Sequence, residues 1–210
     1  MTTSDASGLL RANVLQGVRM LIAGPHPLDA IAAAVEGNCA ALGAEVRTCS
    51  PYAEDGAALA QEDLDLVVDR VLEELGGLDL LAVDAAGLFA TSSLGGTREA
   101  LVDCLEATWS ITRAVATRAF IAPGRPGRIV FLAPSVTAQA SGHPDAALAG
   151  LENLARTLSI EWARYAITPV TVAPGLDTSA RELAGLTAYL ASPAGGYFSG
   201  CLLDLRGPGA

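Results

Sequence analysis

The sequence predicts an α/β fold with three layers, in which helices cover both faces of a parallel sheet. Two short apolar runs rich in β-branched residues, 129–132 and 170–172, flank a segment whose apolar residues recur every three or four positions. This spacing places those side chains on one face of a helix, which gives the order strand, helix, strand. The runs are continuously apolar instead of alternating with polar residues, which is typical of parallel strands buried on both faces.

The same patterns predict the other elements of the chain. The predicted helices cover residues 28–42, 62–75, 98–120, 145–164 and 182–191, and the other predicted strands cover 18–23, 45–49, 78–87 with its turn, and 201–205. Gly43 is expected to end the first helix. Pro169 is compatible with the first residue of a strand but argues against a central position, because proline has no N–H for the ladder.

Composition restricts the size class and the partners. The 210 residues, 51% of them hydrophobic, can bury one sizeable core, so we expect a single domain over 1–210. Thirteen basic against 23 acidic residues give a net charge of −10, which repels phosphate backbones and anionic lipid. We therefore expect neither nucleic acid nor a membrane as partner. No signal-like start and no apolar run of transmembrane length is found, which favours a cytoplasmic protein.

The cysteines give no sign of a metal centre or a disulfide framework. Cys39, Cys49, Cys104 and Cys201 are dispersed, form no CxxC pair, and have only two histidines to complete a metal site. We expect all four to be reduced residues of the core, and we expect no metal. A disulfide or a zinc site is the alternative that this spacing disfavours.

The order of motifs resembles the second half of a short-chain dehydrogenase/reductase, a Rossmann-type family. Three segments carry the resemblance: GRIVFL before Ser135, AGLENLARTLSIEWARYAITPVTVAPG ending at Gly175, and GYFSGCLLDLRG at 196–207. The resemblance covers about 64–175 and 182–207. It implies parallel strands in the order 2-1-4-5-6-7 of the family's numbering. The family's edge strand 3 is expected to be missing or vestigial, because SPYAEDGAALAQ is too short for a helix and a strand.

The resemblance fails at the loop where the family binds NAD or NADP. The family's TGxxxGxG turn lets backbone N–H groups approach a pyrophosphate, but this chain has AGPHPLDA at 23–30, where only Gly24 remains. Asp29 already supplies the negative charge that a helix N-terminus favours. Ser50 stands where an acid would contact the ribose hydroxyls. We expect no cofactor and a helix start capped by proline; a vestigial site at Gly24 is the alternative.

The catalytic positions of the family fall on residues that cannot do its chemistry. Alignment without gaps puts Cys104 at the asparagine, Ser135 or Pro134 at the serine, Pro144 at the tyrosine and Leu148 at the lysine. The family's tyrosine is its general acid or base, and the lysine lowers the pKa of that tyrosine. Proline has no proton to exchange and leucine has no charge. None of these catalytic groups is therefore intact by this alignment.

Two further features bear on activity. Ser135, His143 and Asp145 could form a nucleophilic triad, but no strained nucleophile elbow or oxyanion loop surrounds the serine, and His143-Pro144-Asp145 is typical of a helix start. Residues 176–181 connect directly to the helix 182–191, so the family's substrate lid is expected to be missing.

The leading functional prediction is a catalytically degenerate protein of this kind, kept as a structural or regulatory subunit. The resemblance implies a homo-oligomer, or a hetero-oligomer with an active relative, through helices 98–120 and 145–164. Small residues favour close approach of the second helix, and apolar residues lie on the first: Ala146, Ala149 and Gly150, then Trp109, Ile111 and Phe120. The alternatives are an NAD- or NADP-dependent oxidoreductase that uses groups such as Ser135 and Cys104, and a cofactor-independent enzyme of the halohydrin dehalogenase kind, against which Pro144 counts.

Overall fold

Six parallel strands form one sheet in the order β2-β1-β3-β4-β5-β6. A computed structural model describes residues 11–54, 56–92, 97–135 and 143–207. Within them the strands are β1 (Arg19–Ala23), β2 (Glu45–Cys49), β3 (Leu80–Val83), β4 (Gly127–Leu132), β5 (Ile167–Ala173) and β6 (Leu202–Asp204). The predicted three-layer α/β fold and strand order are confirmed, and no strand lies outside β2 in the described part of the chain.

Helices cover both faces of the sheet. They are α1 (Ala30–Ala41), α2 (Gln61–Leu75), α3 (Ala85–Ser92), α4 (Thr97–Val115), α5 (Pro144–Glu161) and α6 (Ala180–Ala191), with a π-helical turn at Ala116–Ile121 and 3₁₀ turns at Ala163–Tyr165 and Pro193–Tyr197. Alternate strand residues feed two cores. Leu21, Leu81 and Ile129 belong to the core under α2 to α5, and Met20, Ile22 and Leu80 to the core under α1 and α6.

Short-range chemistry sets several helix ends. Gly76 follows α2 in the left-handed region with φ 67°, which a glycine adopts without a Cβ penalty. Ser179 and Glu182 form a reciprocal capping box at the start of α6. In the part of the chain that the structure describes, no helix is long and apolar enough to cross a membrane.

Two local predictions are wrong at the carboxyl ends of β1 and β3. The first helix begins at Ala30 instead of Leu28, and its cap is the Asp29 side chain instead of a proline, because a carboxylate can accept the free N–H groups of the first turn. The turn predicted at Gly87 is the first turn of α3, which starts directly after Asp84. We call the carboxyl ends of the strands the carboxyl edge of the sheet, and the opposite ends the amino edge.

Pro169 is the third residue of β5 and lies between β4 and β6 in the sheet, so the expectation for it is wrong. The sheet tolerates it because β6 pairs with β5 only from Thr171 onward. The Pro169 carbonyl accepts a hydrogen bond from Gly200 N at 2.7 Å, so this residue faces the β6 side just before that strand begins. No ladder donor is lost where no partner strand lies.

The amino edge of the sheet is rich in arginine. Arg19 donates from Nε and from its backbone N to Asp79 Oδ2, both at 2.9 Å, and its guanidinium also donates to the Gly76 carbonyl at 2.8 Å. Arg128 donates to the carbonyls that end α6, at Leu190, Ala191 and Ser192. These cations complement the negative ends of helix dipoles.

All four cysteines are free, as predicted. Cys39 and Cys104 are buried, whereas Cys49 and Cys201 are only half-buried. Both still pack against the apolar cores, so Cys49 and Cys201 are residues of the core margin. They lie at the end of β2 and just before β6, which are the two edge strands, so one side of each is open to solvent.

Candidate functional site

The candidate site lies at the carboxyl edge between β1 and β3. The chain leaves β1 toward β2 on one side and later returns to β3 on the other side. Ligands of open parallel sheets bind in the crevice at such a reversal, where helix N-termini also converge. Two connections form this crevice: residues 24–29 between β1 and α1, and Asp84 between β3 and α3.

The N-terminus of α1 is already occupied by the protein's own carboxylate. Asp29 Oδ1 accepts hydrogen bonds from Ile31 N and Ala32 N, each at 2.9 Å. These two N–H groups are among those that an anion at this helix end would use. The positive end of the helix dipole is thereby neutralised by Asp29.

Gly24 has a packing role in this connection. A Cβ on Gly24 would lie 3.3 Å from Asp84 Cβ and 3.7 Å from Ala32 Cβ. Its own N–H donates to the Cys49 carbonyl at 3.0 Å. The glycine therefore allows the connection to pass close to Asp84, and its N–H is already used.

Asp84 is the polar residue of the site that the sequence analysis did not single out. It is fully buried, and its Oδ1 accepts a hydrogen bond from Gly87 N at 3.0 Å. Its Oδ2 is buried and has no hydrogen-bond donor among the described residues. Burial, the largest cause, and the neighbouring Asp29 carboxyl together raise the pKa of Asp84 to about 8, against the opposing effect of the Gly87 N–H. The sequence signal that could have revealed this pair is that Asp29 and Asp84 each follow a strand, and those two strands are neighbours in the sheet.

Structural comparison places this architecture among known proteins. A short-chain dehydrogenase of Mycobacterium smegmatis superposes with a TM-score of 0.75 at 24% identity, over 96% of this chain and 97% of that chain. A citronellol catabolism dehydrogenase of Pseudomonas aeruginosa PAO1 gives 0.74 at 21% identity, over 94% and 96%. A hydroxysteroid dehydrogenase of Escherichia coli gives 0.71 at 17% identity, over 94% and 99%. The chain has the short-chain dehydrogenase/reductase fold. Neither the models of protein families nor the curated protein sequences give a match.

A dinucleotide of the type implied by this fold does not fit the crevice as these residues fill it. Its pyrophosphate would meet the carboxylate of Asp29, and the N–H groups of Ile31 and Ala32 already have an acceptor. Pro25 and Pro27 have no N–H to add. Like charge and missing donors both oppose binding of a phosphate at this place.

A cleft of about 620 Å³ lies beside this crevice at the carboxyl end of β2. Pro25, His26, Ser50 and Arg70 are among the residues that line it. Tyr52 closes one side, because its hydroxyl bonds to Ser92 Oγ at 3.3 Å and donates to the Asp103 carbonyl at 3.4 Å. Ser50, which the resemblance puts at the ribose contact, lines this cleft but supplies no carboxylate.

Cys104, which the sequence alignment puts at the family's catalytic asparagine, is inaccessible. Its side chain is fully buried and Sγ donates to the Ala85 carbonyl at 3.4 Å. Burial raises the pKa of this thiol to about 12. A thiol that stays protonated and has no contact with solvent is not a nucleophile.

The other three aligned positions carry structural side chains. Ser135 is half-buried and donates to the Gly175 carbonyl at 3.3 Å. Pro144 is the buried first residue of α5, and Leu148 one turn later belongs to the apolar core. Pro134, the alternative to Ser135, is also buried.

The structure does not assemble the triad that Ser135, His143 and Asp145 could have formed. His143 and Asp145 are exposed at the start of α5, and among the described residues no hydrogen bond joins any two of the three. Residues 136–142, between the serine and the histidine, lie outside the described residues. Within the same part of the chain, no group of three or more histidine, cysteine, aspartate or glutamate side chains could hold a metal ion.

The connection from β5 to α6 is as short as predicted. Residues 174–179 alone join Ala173 to Ala180. A cleft of about 500 Å³ lies there, lined by Gly175, Leu176, Asp177, Thr178, Glu182, Leu205 and Arg206. Leu176 is 70% exposed over it. This cleft is open where a lid would exclude water.

Several residues assigned to a subunit contact instead serve the chain's own packing. Ile111 and Phe120 are fully buried in the core. The space left by Gly150 is filled by Leu105 of α4, whose Cδ2 lies 3.0 Å from where a Cβ would be. Those three assignments are wrong, because an apolar period on a helix does not reveal which neighbour it meets. Trp109 stacks on Trp162 with ring centroids 6.3 Å apart and stays 38% exposed.

Proposed function

We propose that the chain is a non-catalytic protein of the short-chain dehydrogenase/reductase kind that acts as a structural or regulatory subunit. The observation that carries the proposal is Asp29, whose carboxylate already accepts hydrogen bonds from the N–H groups of α1 that a cofactor's pyrophosphate would need. The aligned catalytic positions support it, since Cys104 is buried and Pro144 and Leu148 have no acid or base to offer. Positioned acid–base catalysis raises a reaction rate by about 10²–10⁴-fold, so a chain without it should not catalyse the reaction of the family.

The proposed mode of action is association through α4 and α5, with a second copy or with an active relative. Several side chains of this face stay open to solvent and form no core: Val102 and Trp109 on α4, and Ala146, Ala149 and Ile160 on α5. Ile160 is 79% exposed, which is high for a large apolar residue. Burial of this face in a symmetric contact of at least roughly 1,000 Å² would remove it from water.

The first test is cofactor binding by isothermal titration calorimetry. We expect no saturable binding of NAD(H) or NADP(H) at millimolar concentrations, because Asp29 occupies the N–H groups at the start of α1 and its charge opposes the pyrophosphate. Repeating the titration after addition of any co-purified partner shows whether that partner completes a nucleotide-binding site. A dissociation constant in the micromolar range for the chain alone would contradict the proposal.

The second test is the sedimentation velocity of two charge variants. Ile160→Glu places a carboxylate on the proposed contact and is expected to shift a dimer to monomer, because an interface core excludes unpaired charge. Leu66→Glu is the matched control: Leu66 is 63% exposed on α2, which is not part of the proposed α4–α5 contact, and its replacement should leave the assembly unchanged. A wild-type monomer at micromolar concentration, alone and mixed with active relatives, would remove the proposed role.

An NAD- or NADP-dependent oxidoreductase with unconventional groups is the second candidate. The 620 Å³ cleft beside Ser50 favours it, since it offers room where the adenosine half of a cofactor would lie. The solved structures of similar fold are also named as dehydrogenases. The calorimetric test separates the two candidates, because only the second requires saturable binding of the nucleotide.

A further inference from the structure

Two helices begin side by side at the carboxyl edge, and each is capped by an aspartate. Asp29 caps α1 by accepting from Ile31 N and Ala32 N. Asp84 directly precedes α3 and accepts from Gly87 N, while its carbonyl accepts from Leu88 N at 3.1 Å. In both residues the capping atom is Oδ1. Each carboxyl group therefore has its second oxygen, Oδ2, free for another contact.

The two Oδ2 atoms meet beside Gly87. A Cβ on Gly87 would lie 2.5 Å from Asp84 Oδ2 and 2.9 Å from Asp29 Oδ2, and 2.8 Å from Pro25 Cδ. Glycine is thus the residue that lets the two carboxyl groups share this space. Asp84 is also held from its backbone, since Asp84 N donates to the Ala23 carbonyl at 2.8 Å.

A proton on Asp84 would give its buried Oδ2 a hydrogen-bond partner. Asp84 Oδ2 is buried with no donor facing it, and the polar group beside it is an acceptor if both carboxyls are ionised. One proton on Asp84 turns that repulsion into an O–H···O hydrogen bond to Asp29. Each helix N-terminus is equivalent to about half a positive charge, so two of them balance one carboxylate and not two.

Taken together, the groups that face Asp29 and Asp84 favour the protonated form of Asp84. From the β1–α1 connection the facing group is Asp29, from α3 it is the Gly87 N–H, and from α4 it is the Cys104 thiol, whose pKa burial raises to about 12. Among the described residues no basic side chain acts on Asp84. Burial, the largest effect, raises the pKa of Asp84.

We propose that Asp84 holds a proton that it donates to Asp29, and that this hydrogen bond, the carboxyl latch, joins the N-termini of α1 and α3 and releases them at alkaline pH. Loss of the proton leaves two negative charges beside Gly87, one of them on Asp84, which is closed to water. The β1–α1 connection is the side that can move away, because Asp29 is half-buried whereas Asp84 is fully buried. The latch is independent of the proposed subunit role, and its test does not involve a cofactor or a partner.

The latch makes stability fall as pH rises. The folded chain keeps a proton on Asp84 that the unfolded chain loses near its ordinary pKa of 3.8, so between that pH and about 8 folding binds one proton more. The stabilisation is complete below the unfolded pKa and is lost as pH rises through the raised one. The equilibrium constant for unfolding should therefore rise by about tenfold per pH unit in this window and level off above it.

The test compares wild type with Asp84→Asn in urea unfolding from about pH 5 to 9. The asparagine amide keeps Oδ1 for Gly87 N and donates permanently to Asp29, so its pH dependence should lack the tenfold-per-unit rise. Glu182→Gln, which changes the carboxylate of the α6 capping box, is the matched control and should keep the wild-type slope, because that exposed group has a lowered pKa. Equal slopes for wild type and Asp84→Asn would overturn the latch.

A second measurement needs no variant. Carbon-13 resonances of labelled aspartate carboxyls should show one protonated side chain at pH 6 that ionises on the alkaline side. Amide exchange at Ile31 and Ala32, corrected for base catalysis, should then accelerate over the same pH range. Two ionised carboxylates at pH 6 would refute the proposal even if Asp84→Asn fails to fold.

Discussion

Strand β3 carries an aspartate at each end, and the two are stabilised in opposite ways. Asp79 precedes the strand at the amino edge and Asp84 follows it at the carboxyl edge. Burial alone would raise the pKa of Asp79, but its hydrogen bonds with Arg19 and the charge of Arg125 outweigh that effect and lower it. Asp84 is fully buried, has a second carboxyl beside it and no cation near it among the described residues, so its pKa is raised. One residue is an ion-pair partner, and the other holds a proton in our proposal.

The contrast follows from the direction of the helices. In a parallel α/β sheet the helices end at the amino edge and begin at the carboxyl edge, so their dipoles present negative ends to the first and positive ends to the second. Arg19 and Arg128 donate to carbonyls that end α2 and α6. Asp29 and Asp84 accept from amides that begin α1 and α3. The fold sorts charge by edge, and an anionic ligand has to compete with the acids of the carboxyl edge.

The largest expected effect comes from removal of the paired aspartate. Asp79→Ala leaves the Arg19 guanidinium, whose side chain is 17% exposed, without its bidentate acceptor, and should destabilise the fold by about 2–3 kcal/mol. This is less than the roughly 3–5 kcal/mol of a fully buried pair, because the Asp79 side chain is 37% exposed and water screens it. Urea midpoints at neutral pH measure the loss.

Two controls make that prediction specific. Asp69→Ala removes another aspartate that accepts two bonds from an arginine, but Arg118 is 33% exposed against 17% for Arg19, so the loss should be smaller. The lowered pKa of Asp79 means that its contribution is present above the ordinary pKa and is lost as pH falls through the lowered one. The difference between wild type and Asp79→Ala should therefore narrow in acid; a constant difference would argue against the ion pair as its source.

A smaller effect is expected where the two acids of the carboxyl edge meet. Gly87→Ala would place its Cβ against Asp84 Oδ2 and Asp29 Oδ2, and should cost about 1–2 kcal/mol through displaced side chains. Gly37→Ala in α1 is the matched control. Nothing lies within 4 Å of its Cβ, so it should stabilise the fold by up to about 1 kcal/mol through helix propensity. Thermal or urea unfolding of both variants tests the pair, and a gain for Gly87→Ala would show that the acids do not crowd that point.

Much of the architecture could be predicted because period and composition act over long segments. The continuous apolar strands and the amphipathic α2 predicted the sheet and its parallel sense, and the family resemblance predicted its strand order. Helix α3 could not be predicted, since eight mostly small residues carry no period and its start depends on the Asp84 cap. The pair of Asp29 with Asp84 depends on β1 and β3 being neighbours, so it joins residues 55 positions apart that no local pattern connects.

For the predicted contact surface, the helices were predicted correctly but the partners of their side chains were not. Apolar residues on α4 and α5 were correctly placed on helices, but the period could not say whether Ile111 or Gly150 faces the chain's own core or another subunit. The structure gives both to the chain itself. The sequence therefore predicted the helices of the proposed interface, but not which of their side chains stay exposed and available for it.

The proline in the middle of β5 also fixes the alignment of the sheet's last strand. β6 pairs Leu202 with Thr171, and a slip of two residues along β5 would bring it opposite Pro169, which offers no N–H. Such a slip would keep every β6 side chain on its own face of the sheet, so hydrophobic patterning alone would not oppose it. Pro169 thus opposes a mispairing that the alternation of side chains would tolerate.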